Sequence, residues 1–263
     1  LYAFLFGAVA VKFYNMTAFV KQEVKNNIGY ITFFHPAGNS FPSSQLQQLV
    51  ETIQDLDANE NATIIVLQSE GNTFCAGASF DELLQIDNLT DGKKFFSGFA
   101  NVINAMRSCS KLIVGKVQGK AVGGGVGIVA ACDYALATTK ADVKLSELTI
   151  GIGPFVIEPA VSRKIGHTAM SELTLAGNKW KPATWAFEKG LFAKLLQPEE
   201  LDTELEKFAL QLASYNPEAL SEMKQVLWQN TAHWSTLLYE RAEISGKLVL
   251  SAFTKKALEG FKK

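Results

Sequence analysis

Two short glycine-centred loops carry the backbone groups most able to do chemistry. The first is Cys75-Ala76-Gly77-Ala78-Ser79-Phe80 and the second is Gly123-Gly124-Gly125-Val126-Gly127. Each loop follows an apolar run of strand type and precedes a helical stretch, so each is expected to expose backbone N–H groups. If the two loops converge, those N–H groups form a trap for a carbonyl oxygen that becomes negative during a reaction.

The elements that must position these loops follow an α/β pattern. Alternating residues and an Asn26-Asn27 turn predict an opening hairpin, and the β-branched runs further on are typical of strands buried in a parallel sheet. Strand, loop and helix then repeat in order, as right-handed βα units require. The predicted strands are 19–24, 29–34, 63–68 and 112–117, and the predicted helices are 42–57, 95–109 and one that starts within 126–132.

The chain is expected to divide into three parts. Residues 1–15 are interpreted as an N-terminal extension, because the apolar run 1–11 is too short to span a bilayer, lacks a basic n-region and is followed directly by Lys12. Residues 16–198 form the predicted core. Residues 199–263 are read as a helical region for oligomerisation, with helices at 199–214 and 217–250 and no strand beyond Gly190. Trp228 and Trp234 are predicted to be exposed there, free to pack on the core or on a second subunit.

Composition excludes several classes of function. The 263 residues are 48% hydrophobic with a formal net charge of -1, which predicts a folded protein without a global field for nucleic acid or an anionic membrane. The three cysteines are widely spaced, so we expect buried thiols and a cytoplasmic location. The three histidines lack the spacing of metal ligands, so no metal is expected.

One motif resembles the fingerprint of a dinucleotide-binding protein but lacks its structural context. Residues 125–130 match the dinucleotide fingerprint G-x-G-x-x-A, and Glu147 lies about 20 residues beyond it. In a dinucleotide-binding unit the fingerprint follows its strand at once, whereas here residues 118–124 intervene. No nicotinamide cofactor is therefore expected.

Three segments together resemble the enoyl-CoA hydratase/isomerase (crotonase) superfamily. They are Cys75-Ala76-Gly77-Ala78, the glycine triplet with Ala130-Ala131-Cys132-Asp133, and the run from Leu145 to Pro154. The likeness extends from about Ala18 to the C-terminus. It implies an α/β fold of the crotonase type, a spiral of β-β-α units with a C-terminal helical appendage. It also implies homo-trimers or dimers of trimers that bind an acyl-CoA thioester, with coenzyme A as part of the substrate and no separate cofactor.

The resemblance assigns binding roles to residues of both loops. The N–H groups of Ala78 and Gly124 match the family's oxyanion hole for the thioester carbonyl. Four further residues match positions that contact CoA or substrate, although the first turn is one residue shorter than the common pattern. These are Ala37 and Gly38 in the turn after the hairpin, and Ala76 and Phe80 beside the first loop. Pro154 is added as a residue of the substrate pocket.

Typical hydratases of the family use two glutamates for catalysis, and this sequence has only one of them. Glu147 matches one of them, and Gly127 occupies the position of the other. A lone base suits isomerisation, because it can remove a proton at one carbon and return it at another. The unusual stretch 153–159 instead resembles bacterial methylglutaconyl-CoA and isohexenylglutaconyl-CoA hydratases, which also carry glycine at the position of Gly127.

Hydration of an enoyl-CoA, with 3-methylglutaconyl-CoA as the named candidate, is therefore the preferred prediction. A Δ3,Δ2-enoyl-CoA isomerase and a non-catalytic acyl-CoA-binding subunit remain as alternatives, since a fold alone does not prove activity. Glu158 is either a second acid or a hydrogen-bond acceptor that holds its loop.

Overall fold

The computed structural model describes residues 17–260. They form strands and helices that alternate along the chain. The strands are β1 (Phe19–Lys25), β2 (Ile28–Phe34), β3 (Ile64–Ser69), β4 (Thr73–Cys75), β5 (Ile113–Val117), β6 (Lys120–Val122), β7 (Tyr134–Thr138), β8 (Val143–Lys144) and β9 (Lys194–Leu196). The helices are α1 (Ser43–Ala58), α2 (Phe80–Leu83), α3 (Leu89–Ser108), α4 (Gly124–Ala131), α5 (Glu158–Leu175), α6 (Ala183–Glu188), α7 (Leu201–Ala213), α8 (Pro217–Leu227), α9 (Trp234–Leu248) and α10 (Ala252–Glu259). A 3₁₀ helix covers Glu147–Ile150.

The strands form two sheets. The larger sheet has the order β1-β2-β3-β5-β7-β9, in which only the β1–β2 pair is antiparallel. The smaller sheet has the order β4-β6-β8 and is parallel throughout. Asn26 and Asn27, with φ of 54° and 60°, close the hairpin because both tolerate the left-handed conformation that its turn requires. The predicted hairpin is confirmed.

The two sheets are linked by a repeated β-β-α unit. β3, β5 and β7 each run in the larger sheet, and the strand that follows each of them runs in the smaller one before the chain enters a helical segment. The predicted spiral of β-β-α units is therefore confirmed. Since β4, β6 and β8 are parallel, their carboxyl ends meet at one edge of the smaller sheet, and this edge carries the functional loops.

The C-terminal helices differ from the sequence prediction in three ways. The expected helix 217–250 is two helices, α8 and α9, and α10 follows them. The short strand β9 lies beyond Gly190, where no strand was predicted, and pairs with β7. The prediction that Trp228 and Trp234 are exposed is wrong. Both indoles are 95% buried and pack edge to face, with ring centroids 5.9 Å apart, because they fill the junction between these helices and the core.

The start of α3 also differs from the sequence prediction. The predicted helix 95–109 begins earlier, at Leu89, because the Asn88 side chain accepts a hydrogen bond from the Asp91 N–H and caps it. The predicted extension 1–15 lies outside the described residues. None of the helices within residues 17–260 combines the length and the hydropathy that a membrane-spanning segment requires.

Candidate active site

One cavity brings the two glycine loops and Glu147 together. It has a volume of about 150 Å³ and lies at the carboxyl edge of the smaller sheet. Glu147 and five other residues predicted from the sequence line it. These five are Ala76, Ala78, Phe80, Gly124 and Pro154. The predicted residues Ala37 and Gly38 do not line it. Chain segments that are far apart in sequence therefore converge on one cavity.

The first loop presents a free backbone N–H. Phe41 donates its N–H to the Gly77 carbonyl at 2.8 Å, and Ser79 donates to the Phe41 carbonyl at 2.8 Å. These two bonds hold the loop on either side of Ala78, whose own N–H has no acceptor within residues 17–260. A Cβ atom at Gly77, where φ is 92°, would lie 3.0 Å from the Val122 carbonyl oxygen, so glycine permits this close approach.

The second loop presents another free N–H. Gly123 adopts φ 53° and donates its N–H to the Lys144 carbonyl at 2.9 Å, which ties the loop to the end of β8. Gly124 then begins α4, and its N–H has no acceptor in the described part of the chain. A Cβ atom at Gly77 would lie 3.6 Å from the Gly124 nitrogen, so the two loops are in contact. This arrangement suits an oxyanion, since Ala78 and Gly124 both line the cavity and neither N–H has a competing acceptor within residues 17–260.

Glu147 supplies the titratable group of the cavity. It begins the 3₁₀ helix that follows β8, and a Cβ atom at Gly123 would lie 2.9 Å from its Oε1 atom. Its Oε2 atom is buried and has no hydrogen-bond partner among residues 17–260. Burial raises the pKa of Glu147 from 4.5 to about 7, and a hydrogen bond from its own backbone N–H opposes part of that rise. The carboxylate is therefore poised to exchange a proton near neutral pH.

Gly127, the position that the family resemblance assigns to a second glutamate, is closed by packing. A Cβ atom at Gly127 would lie 2.4 Å from Ile157 Cγ2, so the Ile157 side chain fills the space that a longer residue would need. Glu158 is not among the residues that line the cavity, and its Oε1 accepts a hydrogen bond from Ser162 Oγ at 2.6 Å. Ser162 lies one turn further along the same helix, so this contact lies within the start of α5 and does not tie the loop that precedes it.

The turn at Ala37 and Gly38 lies behind the first loop. Ala76 donates its N–H to the Gly38 carbonyl at 3.1 Å, so the turn supports this loop without lining the cavity. Their predicted contact with CoA stays a prediction.

No cysteine is among the described residues that line the cavity. Burial raises the pKa of Cys75, which ends β4, to about 12, and does the same for Cys109 and Cys132. The thiols are buried, as predicted, and remain protonated. No cluster of three His, Cys, Asp or Glu side chains able to hold a metal occurs within residues 17–260.

Sequence reasoning missed the walls of the cavity. Phe96 and Phe99 of α3 line it, and Ser245 reaches it from α9. The helical spacing of Phe96 and Phe99 could have indicated an apolar face on α3, whereas nothing in the local sequence singles out Ser245.

The β-β-α spiral and the loops at its smaller sheet define a protein of the crotonase fold. The chain belongs to the enoyl-CoA hydratase/isomerase family, whose sequence model matches residues 23–262. A solved enoyl-CoA hydratase from Bacillus halodurans superimposes with a TM-score of 0.84 at 23% identity, over 92% of this chain and 99% of that one. A structure titled putative enoyl CoA hydratase/isomerase (crotonase), from Legionella pneumophila, gives 0.77 at 26% identity, over 94% and 96%.

Two relatives align over most of the chain. The short-chain-enoyl-CoA hydratase of Clostridium acetobutylicum is 27% identical over 253 residues, which cover 91% of this chain and 96% of that protein. The bacillaene synthase dehydratase PksH of Bacillus subtilis is 30% identical over 213 residues, which cover 79% and 80%. Hydration and dehydration are the two directions of one reaction.

Proposed function

We propose that the protein is an enoyl-CoA hydratase that adds water across the 2,3 double bond of an acyl-CoA thioester. The observation that carries this proposal is the buried Glu147 carboxylate, with its pKa of about 7, in the same cavity as the free N–H groups of Ala78 and Gly124. The relatives named as hydratases or dehydratases support the reaction class.

The proposed step uses each of these groups once. The thioester carbonyl accepts hydrogen bonds from the N–H groups of Ala78 and Gly124, which stabilise the enolate as negative charge develops. Glu147 removes a proton from water as the oxygen bonds to the β-carbon, and the protonated acid then delivers a proton to the α-carbon. Since the space beside Gly127 is filled by Ile157, a single carboxylate performs both transfers.

Isomerisation is the second candidate. A lone Glu147 can move a proton from the 2-carbon of a 3-enoyl thioester to its 4-carbon without water, and the filled space beside Gly127 favours such a one-base mechanism. The two reactions differ in whether the conjugated double bond is consumed or formed.

The direct test follows the enoyl absorbance of crotonyl-CoA with purified protein and with Glu147→Gln as the matched variant. Loss of absorbance that depends on Glu147 supports the hydratase. Absorbance gained from a 3-enoyl-CoA, with none lost from crotonyl-CoA, points to the isomerase. Binding of both thioesters without turnover would leave the acyl-CoA-binding subunit as the function.

The resemblance to methylglutaconyl-CoA hydratases makes 3-methylglutaconyl-CoA a candidate substrate, and this thioester carries a distal carboxylate. The lining of the cavity indicates whether such a carboxylate can be bound. No Lys, Arg or His is among the described residues that line the cavity, so a distal carboxylate would be buried without a cation. We propose that an uncharged acyl group is the better substrate. Comparison of kcat/KM for crotonyl-CoA and 3-methylglutaconyl-CoA tests it, and faster turnover of the carboxylated thioester would reverse the assignment.

We also propose that the chain assembles as a trimer or a dimer of trimers. Large apolar side chains remain exposed on the single chain, including Leu175, which is 78% exposed, and Phe253, which is 65% exposed. Light scattering coupled to size-exclusion chromatography gives the mass to compare with that of the 28.7 kDa chain.

A further inference from the structure

Ser245 is the one residue of the C-terminal helices that lines the active-site cavity in the described structure. Only 1% of it is exposed, and its Oγ atom has no hydrogen-bond partner within residues 17–260. Glu147 Oε2 is the other unpartnered buried oxygen that belongs to a lining residue. Buried hydroxyls are nearly always paired in folded proteins, so an unpaired one that borders a ligand cavity indicates a contact that the ligand completes.

The packing of α9 on α3 shows where Ser245 lies. The helices run antiparallel, since Lys93 pairs with Glu243 at 3.0 Å and the Tyr239 hydroxyl donates to Asn101 Oδ1 at 2.8 Å. Their backbones approach closely one residue after Ser245, because a Cβ atom at Gly92 would lie 2.9 Å from the Gly246 Cα. Ser245 therefore belongs to the level of Gly92 along α3.

The oxyanion loops meet α3 further along the same helix. A Cβ atom at Gly124 would lie 2.2 Å from Phe99 Cε1, so Phe99 covers the second loop. Phe99 is about two turns beyond Gly92, roughly 10 Å along the helix axis, and Phe96 lines the cavity between these levels. Ser245 therefore borders the cavity at the Gly92 level of α3, whereas the Gly124 backbone lies against the Phe99 ring. These different levels place the Ser245 hydroxyl beside a part of the ligand other than the thioester carbonyl.

The chemistry around Ser245 limits what that part can be. The cavity walls are mostly apolar, and no cationic side chain lines them in the part of the chain that the structure describes. A carboxylate there would lose its hydration without gaining an opposite charge, whereas a neutral hydroxyl or carbonyl needs only one hydrogen bond. Serine offers that bond in either direction, since its hydroxyl donates and accepts.

We infer that Ser245 is a specificity-determining residue whose hydroxyl binds a neutral oxygen on the distal part of the acyl chain, so that the protein selects thioesters with a hydroxyl or carbonyl beyond the reacting double bond. This inference rests on the proposed function, because it takes the ligand to be an acyl-CoA. It extends that function by naming the class of acyl group.

Binding of saturated thioesters tests the inference without turnover. Isothermal titration measures the Kd of two matched pairs, 4-hydroxybutanoyl-CoA with butanoyl-CoA and 5-hydroxypentanoyl-CoA with pentanoyl-CoA. We expect the wild-type protein to prefer one hydroxylated member over its plain partner by roughly 5- to 50-fold. Ser245→Ala should abolish that preference and leave the Kd of the plain thioester unchanged. Ser235→Ala, an exposed position on the same helix, should keep the preference.

Three results would overturn the inference. If Ser245→Ala weakens plain and hydroxylated thioesters equally, the hydroxyl binds the pantetheine part, which all of them share. If the wild-type protein shows no preference in either pair, Ser245 reads no acyl oxygen. If glutaryl-CoA binds more tightly than the hydroxylated thioesters, the distal group is a carboxylate. Failure of every thioester to bind would instead count against the proposed function.

Thermal unfolding separates a ligand contact from a structural role. Removal of a buried hydroxyl without a partner should leave the Tm of Ser245→Ala equal to or above that of the wild-type protein. A lower Tm, together with unchanged binding ratios, would mean that Ser245 serves the packing of α9 and would also overturn the inference.

Discussion

At the residue scale, Glu147 combines a shifted pKa with an unsatisfied oxygen. The shift arises from burial rather than from a second acid, since no second carboxylate lines the cavity within residues 17–260. A base must be ionised to accept a proton, so its pKa sets the pH at which the reaction becomes fast.

The first prediction is a pH profile. The pKa of Glu147 is raised to about 7, so kcat/KM for crotonyl-CoA should rise with pH and level off above about 7. Stopped-flow or steady-state rates between roughly pH 5.5 and pH 8.5 measure this. A rate that is flat across that interval would mean that Glu147 does not act as the base in the free enzyme.

The second prediction concerns the stability cost of the same carboxylate. An acid whose pKa is raised on folding holds its proton more tightly in the folded state, so ionisation destabilises the fold progressively between pH 4.5 and about 7 and fully above that. Glu147→Gln should therefore raise the free energy of unfolding at pH 8, by about 1–3 kcal/mol, and change it little at pH 4.

Urea unfolding at both pH values measures this difference. Glu199→Gln, at an exposed position, serves as the control and should show no such pH dependence. Equal effects of Glu147→Gln at pH 4 and pH 8 would contradict a raised pKa.

At the element scale, the contact between α4 and α5 decides how many carboxylates the site can hold. Gly127 lies within α4, and the Ile157 side chain at the start of α5 occupies the space in front of it. Every residue of α4 after Gly124 is buried, so the helix cannot shift without repacking the core.

The third prediction tests this packing. Gly127→Glu, which places a carboxylate where the family resemblance expects one, should lower the free energy of unfolding by more than the roughly 1–3 kcal/mol typical of overpacking, because it also buries a charge. Adding Ile157→Ala should recover part of that loss, since it removes the Ile157 Cγ2 atom that lies 2.4 Å from the new Cβ. Chemical denaturation of both variants measures the coupling, and a double variant as unstable as the sum of the singles would contradict direct contact.

Some strands and site residues could be predicted from the sequence alone, and others could not. Strands of the larger sheet were predictable where they are β-branched runs, as at 64–67, because burial on both faces selects such residues. The smaller sheet was not, since β8 has two residues and β6 three, too few for any periodicity to appear. The site depended on family resemblance for Glu147, while Ser245 enters the cavity only through the tertiary packing of α9.

At the scale of the whole molecule, a buried ion pair attaches the C-terminal helices to the larger sheet. Lys224 of α8 lies 2.7 Å from Asp133 Oδ2, and these side chains are 2% and 4% exposed. Asp133 also accepts hydrogen bonds from the Ile113 N–H at 2.7 Å and from Trp228 Nε1 at 2.6 Å. One carboxylate thus joins the start of β5, the segment before β7 and the end of α8.

The last prediction addresses this junction. Lys224→Met should lower the free energy of unfolding by about 3–5 kcal/mol, because it leaves the Asp133 carboxylate buried without its cation. Asp133→Asn combined with Lys224→Met should be more stable than Lys224→Met alone, since the amide oxygen still accepts a hydrogen bond and no charge is stranded. Lys194→Met is the matched control, because the side chains of the Lys194–Glu204 ion pair are 41% and 31% exposed and solvent screens such a pair strongly. Urea unfolding of the four proteins measures these differences, and a loss at Lys224 no larger than that at Lys194 would mean that α8 is held to the sheet by its apolar contacts alone.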